Sequence, residues 1–174
     1  MQLQQAGLQI VTVQKSESLK EDYIKQIVHN SRQNHILDMT PNDASSRFAT
    51  ATSTAQRLLY HDITLVLVDQ EYDQVAGLAW FSPQIKSDVQ ADVTYAHRLY
   101  EKFTGRGLSI PFAKASHAIA SRLLGNVVSC VYTHAHNAPA IRTYEAVGYE
   151  PIYESNGRLR MRSRLKVPEW YEQA

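Results

Sequence analysis

Apolar and β-branched residues alternate with polar ones over Leu8–Val13, which predicts a first strand. Ser18 followed by Glu21 has the spacing of a capping box, and Leu19, Tyr23, Ile24, Ile27 and Val28 then recur at helical spacing, so a helix is expected to run to about Asn30. Ser31–Thr40 carries no sustained period and reads as loop. Pro41, Asn42 and Asp43 look like the start of a second helix, whose apolar face is Phe48, Ala51, Ala55, Leu58 and Leu59. Ile63–Val68 is a continuous apolar run, as in a strand covered on both faces, and Val75–Phe81 is its expected hairpin partner, closed by Pro83. Val93–Leu99 is a fourth strand. A long helix is predicted from Leu108 to Leu124, with Leu108, Phe112, Ala115, Ile119 and Leu123 inward and Gly125 at its C′ position. Val127–Thr133 is a buried-type strand, Asn137–Val147 a short helix with Asn137 as N-cap and Pro139 in its first turn, and Tyr149–Glu154 and Arg158–Leu165 a final hairpin turning at Ser155-Asn156-Gly157.

This order, β-α-α-β-β-β-α-β-α-β-β, places strand–helix–strand crossovers among hairpins. It predicts an α/β (α+β) single domain over residues 1–174, with its core at about 8–165: one mixed, mostly antiparallel sheet of about seven strands with helices on both faces. A chain of 174 residues is near the size of one domain and needs no staples to bury a core. Its 18 basic and 17 acidic residues leave a net charge of +1, so a generally cationic nucleic-acid binder is not expected. The single cysteine, Cys130, excludes an intrachain disulfide and a Cys-rich zinc site; its place in the fifth strand suggests a core thiol, and a reducing, cytoplasmic setting is the simplest expectation. No apolar stretch is long enough to span a bilayer, and Met1–Val13 does not read as a secretory signal.

The chemistry concentrates in two segments. Thr104-Gly105-Arg106-Gly107-Leu108-Ser109 lies between a strand and a helix, where glycines let the backbone approach a ligand and the first helical N–H groups lack partners. Such a turn suits a diphosphate, although on its own it is more often just a tight turn. It is neither a P-loop nor a dinucleotide fingerprint, because no Gly-Lys-Ser/Thr follows and the third glycine is missing. About thirty residues on comes Asn137-Ala138-Pro139-Ala140-Ile141-Arg142-Thr143-Tyr144-Glu145-Ala146-Val147-Gly148-Tyr149.

Together these segments resemble the GNAT family of N-acetyltransferases. In that family an Arg/Gln-x-x-Gly-x-Gly/Ala turn wraps the pyrophosphate of coenzyme A, and an Asn-x-x-Ala-x-x-x-Tyr-x-x-x-Gly-Phe/Tyr helix follows. The turn matches at Gly105 and Gly107, with Thr104 and Ser109 departing from the usual residues; the helix matches at Asn137, Ala140, Tyr144, Gly148 and Tyr149. The resemblance implies acetyl-CoA as co-substrate, without a metal, and direct acetyl transfer to a primary amine. It implies that Leu99 offers backbone groups to the pantetheine arm, that Thr104, Gly105, Arg106, Gly107, Leu108 and Ser109 hold the pyrophosphate, that Asn137 contacts pantetheine or caps the last helix, and that Tyr144 is the general acid. By position alone Tyr144 belongs to the helix's apolar face with Ala140 and Ile141.

An attacking amine must lose a proton, and Asp92, Tyr95 and His97 on or beside the fourth strand are candidate bases, as are His134 and His136; His97 is carried forward. His134 and His136 alone do not make a metal site. The loops Ser31–Thr40 and Ser82–Ala91, with His35, Asp38, Asp88 and nearby Asp92, correspond to regions that shape the acceptor pocket in the resembled family. The expected acceptor is a small-molecule or peptide amine, nucleic acid is not an expected partner, and a homodimer is open. A non-catalytic acyl-CoA-binding regulatory module is the alternative. Finally, Arg158, Arg160, Arg162 and Arg164 alternate with Leu159, Met161, Ser163 and Leu165, a cationic face that reads as a solvated guard against edge pairing or as a contact for RNA or an acidic partner.

Overall fold

A computed structural model describes residues 3–14, 19–84 and 90–165. Seven strands, β1 (Leu8–Gln14), β2 (Ile63–Asp69), β3 (Gln74–Pro83), β4 (Val93–Leu99), β5 (Val128–His134), β6 (Glu150–Ser155) and β7 (Arg158–Arg164), form a sheet of order β1-β2-β3-β4-β5-β7-β6. Among the described residues five α-helices accompany them: α1 (Glu21–Asn30), α2 (Asn34–Met39), α3 (Ala51–Tyr60), α4 (Ser109–Leu124) and α5 (Ala138–Glu145). The sheet is mixed: β1–β2, β5–β7 and β6–β7 are antiparallel and β4–β5 is parallel. Contacts divide the chain into two compact units, Met1–Trp80 with His97–Leu108, and Phe81–Ala96 with Ser109–Ala174.

In the first unit, Ile63–Val68 of β2 is buried throughout, as its uninterrupted apolar run requires, and it pairs with β1 from Leu8↔Asp69 to Gln14↔Ile63. α1 buries Tyr23 and Ile27 and packs against α3. The capping box expected at Ser18 is not what starts α1: Lys20 holds the N-cap position without a side-chain bond, and Ser18 lies outside the described residues. The segment read as loop contains α2, a six-residue helix that buries only Ile36 and is too short to show a period. The helix expected from Pro41 begins only at Ala51. Thr50 caps it, its Oγ1 accepting the Ser53 N–H at 3.1 Å while Ser53 Oγ accepts the Thr50 N–H at 3.0 Å. Upstream, Asp43–Arg47 forms a wide π turn, and the Asp43 carboxylate is buried between Arg47 and Arg98, at 3.3 and 2.5 Å. α3 buries Thr54 and Leu58, whereas Leu59 is 45% exposed.

In the second unit, β4, α4 and β5 make a parallel crossover. α4 ends as expected: Gly125 has φ +76° and its N–H donates to the Ser121 carbonyl. Its inward face differs from the expected one. Phe112, Ala113, Ser116, His117, Ala120 and Ser121 are buried, while Leu123 is 45% exposed. Small and polar side chains form much of this face, so the apolar pattern alone misjudged its rotation. β7 lies between β5 and β6, so the arginine strand is interior and guards no sheet edge. The β6–β7 turn carries Asn156 and Gly157 at φ +51° and +68°, the two positive-φ positions of a type I′ hairpin. Cys130 is buried in β5.

Candidate functional site

In the first unit, β4 ends at Leu99 and a 3-10 turn, Glu101–Phe103, leads to the glycine turn. Thr104 is already tied back: its N–H and its Oγ1 both donate to the Glu101 carbonyl, at 3.1 and 2.8 Å. After it, Gly105 and Gly107 adopt φ +70° and +71° on either side of Arg106. Alternating in this way, the backbone aims successive N–H groups outward, a concavity suited to an anion. The N–H groups of Gly105, Arg106, Gly107 and Leu108 have no hydrogen-bond acceptor among the described residues. The Arg106 guanidinium lies over the Phe103 ring at 5.6 Å, and Leu108 is buried, anchoring the turn. The Leu99 carbonyl is 3.1 Å from His35 Nε2, so His35 of α2 already meets one of the backbone groups expected to serve pantetheine. His97 is half-buried and shares its side of β4 with Leu99 by alternation.

In the second unit, β4 and β5 pair only at Val93↔Ser129 and Thr94↔Cys130, although both strands continue. A parallel ladder that stops after two pairs leaves backbone donors and acceptors for another occupant. Asp92 sits at the closed end: its Oδ2 accepts the Val128 N–H at 2.7 Å, which makes it a clamp and not a base at the opening. Tyr95 is fully enclosed, and burial raises its hydroxyl well above the usual phenol range, so it does not serve as a base either. His134 and His136, at the end of β5 and just beyond, stand with ring centres 5.1 Å apart. Among the described residues no group of three or more His, Cys, Asp or Glu side chains is placed to hold a metal.

Tyr144 is buried and lies in an aromatic cluster, its ring centre 6.2 Å from Tyr95 and 5.8 Å from Tyr149. Asn137 caps α5, its Oδ1 accepting the Ala140 N–H at 3.3 Å. Ser109 Oγ is 3.0 Å from Thr143 Oγ1, which donates to the Pro139 carbonyl, so the start of α4 is fastened to α5 one residue before Tyr144.

No protein-family model and no curated protein matches the sequence. Solved structures do. The ribosomal-protein-S5-alanine acetyltransferase of Vibrio fischeri superposes with a TM-score of 0.70 at 16% identity, over 91% of this chain and 93% of that one. Spermidine N-acetyltransferase from Vibrio cholerae, in complex with CoA and spermine, gives 0.68 at 14% identity over 92% and 96%. A GNAT-family acetyltransferase from Streptococcus pneumoniae gives 0.67 at 14% identity over 91% and 99%. The chain has the GNAT fold.

Two parts of this GNAT-fold chain escaped the sequence reading. The first is His117. Its Nδ1–H donates to the Ala113 carbonyl at 2.8 Å, leaving Nε2 to accept from the Tyr149 hydroxyl at 3.0 Å; Tyr149 in turn accepts from Ser129 Oγ at 2.7 Å. The signal was present in α4, where His117 falls four residues after Ala113, but the misjudged face hid it. The second is Arg98, which pairs with Asp43 and lies over Phe48 and Trp80 at 5.1 and 4.9 Å.

Burial pushes His117 down to about 4; burial, with help from Arg57 and Arg47, pushes His61 down to about 3. Both stay neutral in the folded chain, while the unfolded chain takes up their protons near pH 6.5. Their contribution to stability is therefore complete above pH 6.5 and is lost as pH falls toward 4 and then 3. The linkage follows a slope of roughly 1.4 kcal/mol per pH unit for each proton. The thermal midpoint should drop between pH 6.5 and 4, and His117→Asn should flatten that drop; an unchanged slope would show that His117 is not held neutral.

Proposed function

We propose that the chain is an acetyl-CoA-dependent N-acetyltransferase acting by direct transfer on a primary amine. The observation that carries this reading is the run of four N–H groups at Gly105–Leu108 without acceptors, in a turn set by two left-handed glycines. These donors fit the diphosphate of coenzyme A without any basic side chain, which accounts for the tolerance of Thr104 and Ser109 at positions where the resembled family has other residues. The early end of the β4–β5 ladder is a second support, because an extended pantetheine arm needs strand-like backbone partners. Leu99, through its backbone, and Asn137, which keeps its Nδ2 after capping α5, are the proposed pantetheine contacts.

Bound acetyl-CoA supplies an activated acyl carbon. His97 is the proposed acceptor of the proton that the amine gives up as its nitrogen bonds to that carbon. Tyr144 donates its phenolic proton to the sulfur as the carbon–sulfur bond breaks, so thiol and amide are the products. A phenol suits this step because its ordinary pKa, roughly 10, lies close to that of a thiol.

The reaction is tested by incubating the protein with acetyl-CoA and a panel of small amines and lysine peptides and following free thiol. Acceptor-dependent thiol release is expected. Acetyl-CoA binding with no release for any amine would favour the regulatory module. The turn has its own test. Gly107→Ala meets no neighbour, so its cost is the left-handed backbone alone, roughly 1–2 kcal/mol. If the turn relaxes to escape that strain, its N–H groups lose alignment, and affinity for coenzyme A should fall about tenfold in calorimetry while the helical circular dichroism is kept; unchanged affinity would remove the turn from the site.

A further inference from the structure

The arginine ladder of β7 takes no part in the proposed transfer, yet it is a built surface. Register places Arg164 opposite Val128, Arg162 opposite Cys130, Arg160 opposite Tyr132 and Arg158 opposite His134 on β5. On β6, Glu150 faces Arg162, Tyr153 faces Arg160 and Ser155 faces Arg158. Directly opposed residues share a face, so four arginines, two tyrosines, one histidine and one glutamate lie on one side of this half-sheet, together with Val128, Ser155 and the buried Cys130. The alternate positions belong to the other side, where Ser129 and Met161 are buried and Ser129 reaches Tyr149 and, through it, His117 of α4. Tyr144 of α5 meets Tyr149 on that same side.

Arg160 is fixed as the centre of the patch, its guanidinium 5.4 Å from the Tyr132 ring and 4.4 Å from the Tyr153 ring. Arg158, Arg162 and Arg164 are exposed, and no ion pair or side-chain hydrogen bond engages them among the described residues. The patch reaches the end of the β4–β5 ladder through a chain of hydrogen bonds. Thr94 Oγ1 donates to Gln84 Oε1 at 2.6 Å, and Gln84 Nε2 donates to the Tyr132 hydroxyl at 2.8 Å. Thr94 and Cys130 are the last pair of that ladder.

We propose that this face docks an acidic peptide segment of the acceptor, so that the substrate class is a protein or peptide amine flanked by Asp and Glu. This rests on the acetyltransferase reading for the amine, but the docking of the acidic segment stands on the face alone. Charge complementarity selects the partner: four cations meet one glutamate, in a chain whose overall charge is nearly balanced. Spacing agrees as well. Alternate residues of an extended peptide repeat every ~6.6–6.8 Å, the same period as arginines on alternate positions of β7. A single nucleic-acid strand fits less well, because Arg160 already stacks on both tyrosines that could receive a base. Nucleic acids also offer poor amine nucleophiles.

The test uses the full chain and a fluorescently labelled hexaglutamate peptide, read by anisotropy with a hexalysine peptide and a single-stranded 20-mer DNA as comparators. Hexaglutamate should bind, weaken with added salt, and bind at least about tenfold more weakly to Arg158→Gln/Arg162→Gln/Arg164→Gln, which leaves the packed Arg160 intact. Circular dichroism confirms that this variant is folded, and the single variant Arg162→Gln, expected to weaken binding by a smaller factor, serves if it is not. Equal binding by wild type and triple variant, or DNA binding tighter than hexaglutamate, overturns the proposal. Coenzyme A titration of the same triple variant separates the two readings: it should be unchanged, and its failure in wild type would remove the transferase reading without touching the peptide result. With acetyl-CoA, a lysine peptide flanked by glutamates should exceed its glutamine-flanked counterpart in kcat/KM by about tenfold in wild type, and the ratio should approach one in the triple variant.

Discussion

Tyr144→Phe is expected to lower kcat by about 10²–10⁴-fold while leaving the dissociation constant of acetyl-CoA within about a factor of two. The substitution removes one oxygen and keeps the ring, so the packing of residue 144 against Tyr95 and Tyr149, with ring centres 6.2 and 5.8 Å away, is preserved. What disappears is the proton that leaves with the thiol. Steady-state kinetics across pH, with calorimetry for acetyl-CoA, measures both parts. If the variant turns over as fast as wild type at every pH, Tyr144 is a packed core tyrosine and another group protonates the sulfur. A second expectation separates acid from scaffold: Tyr144→Ala should lose stability through a cavity, about 3–5 kcal/mol by analogy with other large aromatic truncations, whereas Tyr144→Phe should stay close to wild type in urea.

The largest effect on folding is expected at Asp43. Asp43→Ala should destabilise the chain by about 3–5 kcal/mol, read as a lowered urea midpoint. The Asp43 and Arg98 side chains are 3% and 8% exposed, and the carboxylate also holds Arg47 at 3.3 Å. Removing the anion leaves the Arg98 guanidinium enclosed between Phe48 and Trp80 without its counter-charge. The cost is that of an uncompensated buried charge, not the net worth of the pair. The double variant Asp43→Asn/Arg98→Met, which removes both charges and keeps a long side chain against the two rings, should therefore recover most of the loss. A double variant as unstable as Asp43→Ala would mean that the shape of the ion pair, and not its charge balance, holds the π turn.

Those residues also show where the sequence was informative. The seven strands were legible because β-branched runs such as Ile63–Val68 announce burial without any knowledge of partners. The glycine turn was legible because Gly105 and Gly107 stand where only a residue tolerant of positive φ fits easily. Asp43 and Arg98 were not legible as a pair: 55 positions separate them, and neither carries a local pattern that points to the other. The same absence of local signal turned Asp43–Arg47 into an apparent helix start. α4 was found but misrotated, because Ala113, Ser116, Ala120 and Ser121 form its inward face without contributing to an apolar count, and His117 was lost with them. The arginine strand was read as a possible edge since strand order is a property of the sheet and not of the strand; β7 lies inside, with tyrosines on both neighbours. Among the candidate bases, Tyr95 shares the His97 face by alternation and Asp92 stands just before the strand; the Val128 N–H on Asp92 and the full burial of Tyr95 set both apart from His97.

The account stands on coenzyme A binding at the Gly105–Leu108 turn. Calorimetric titration of the full chain with acetyl-CoA tests it most directly: saturable one-to-one binding below about 1 mM, weakened about tenfold by Gly107→Ala, is the expected result. No saturable heat up to that concentration, or an affinity indifferent to Gly107, would contradict it.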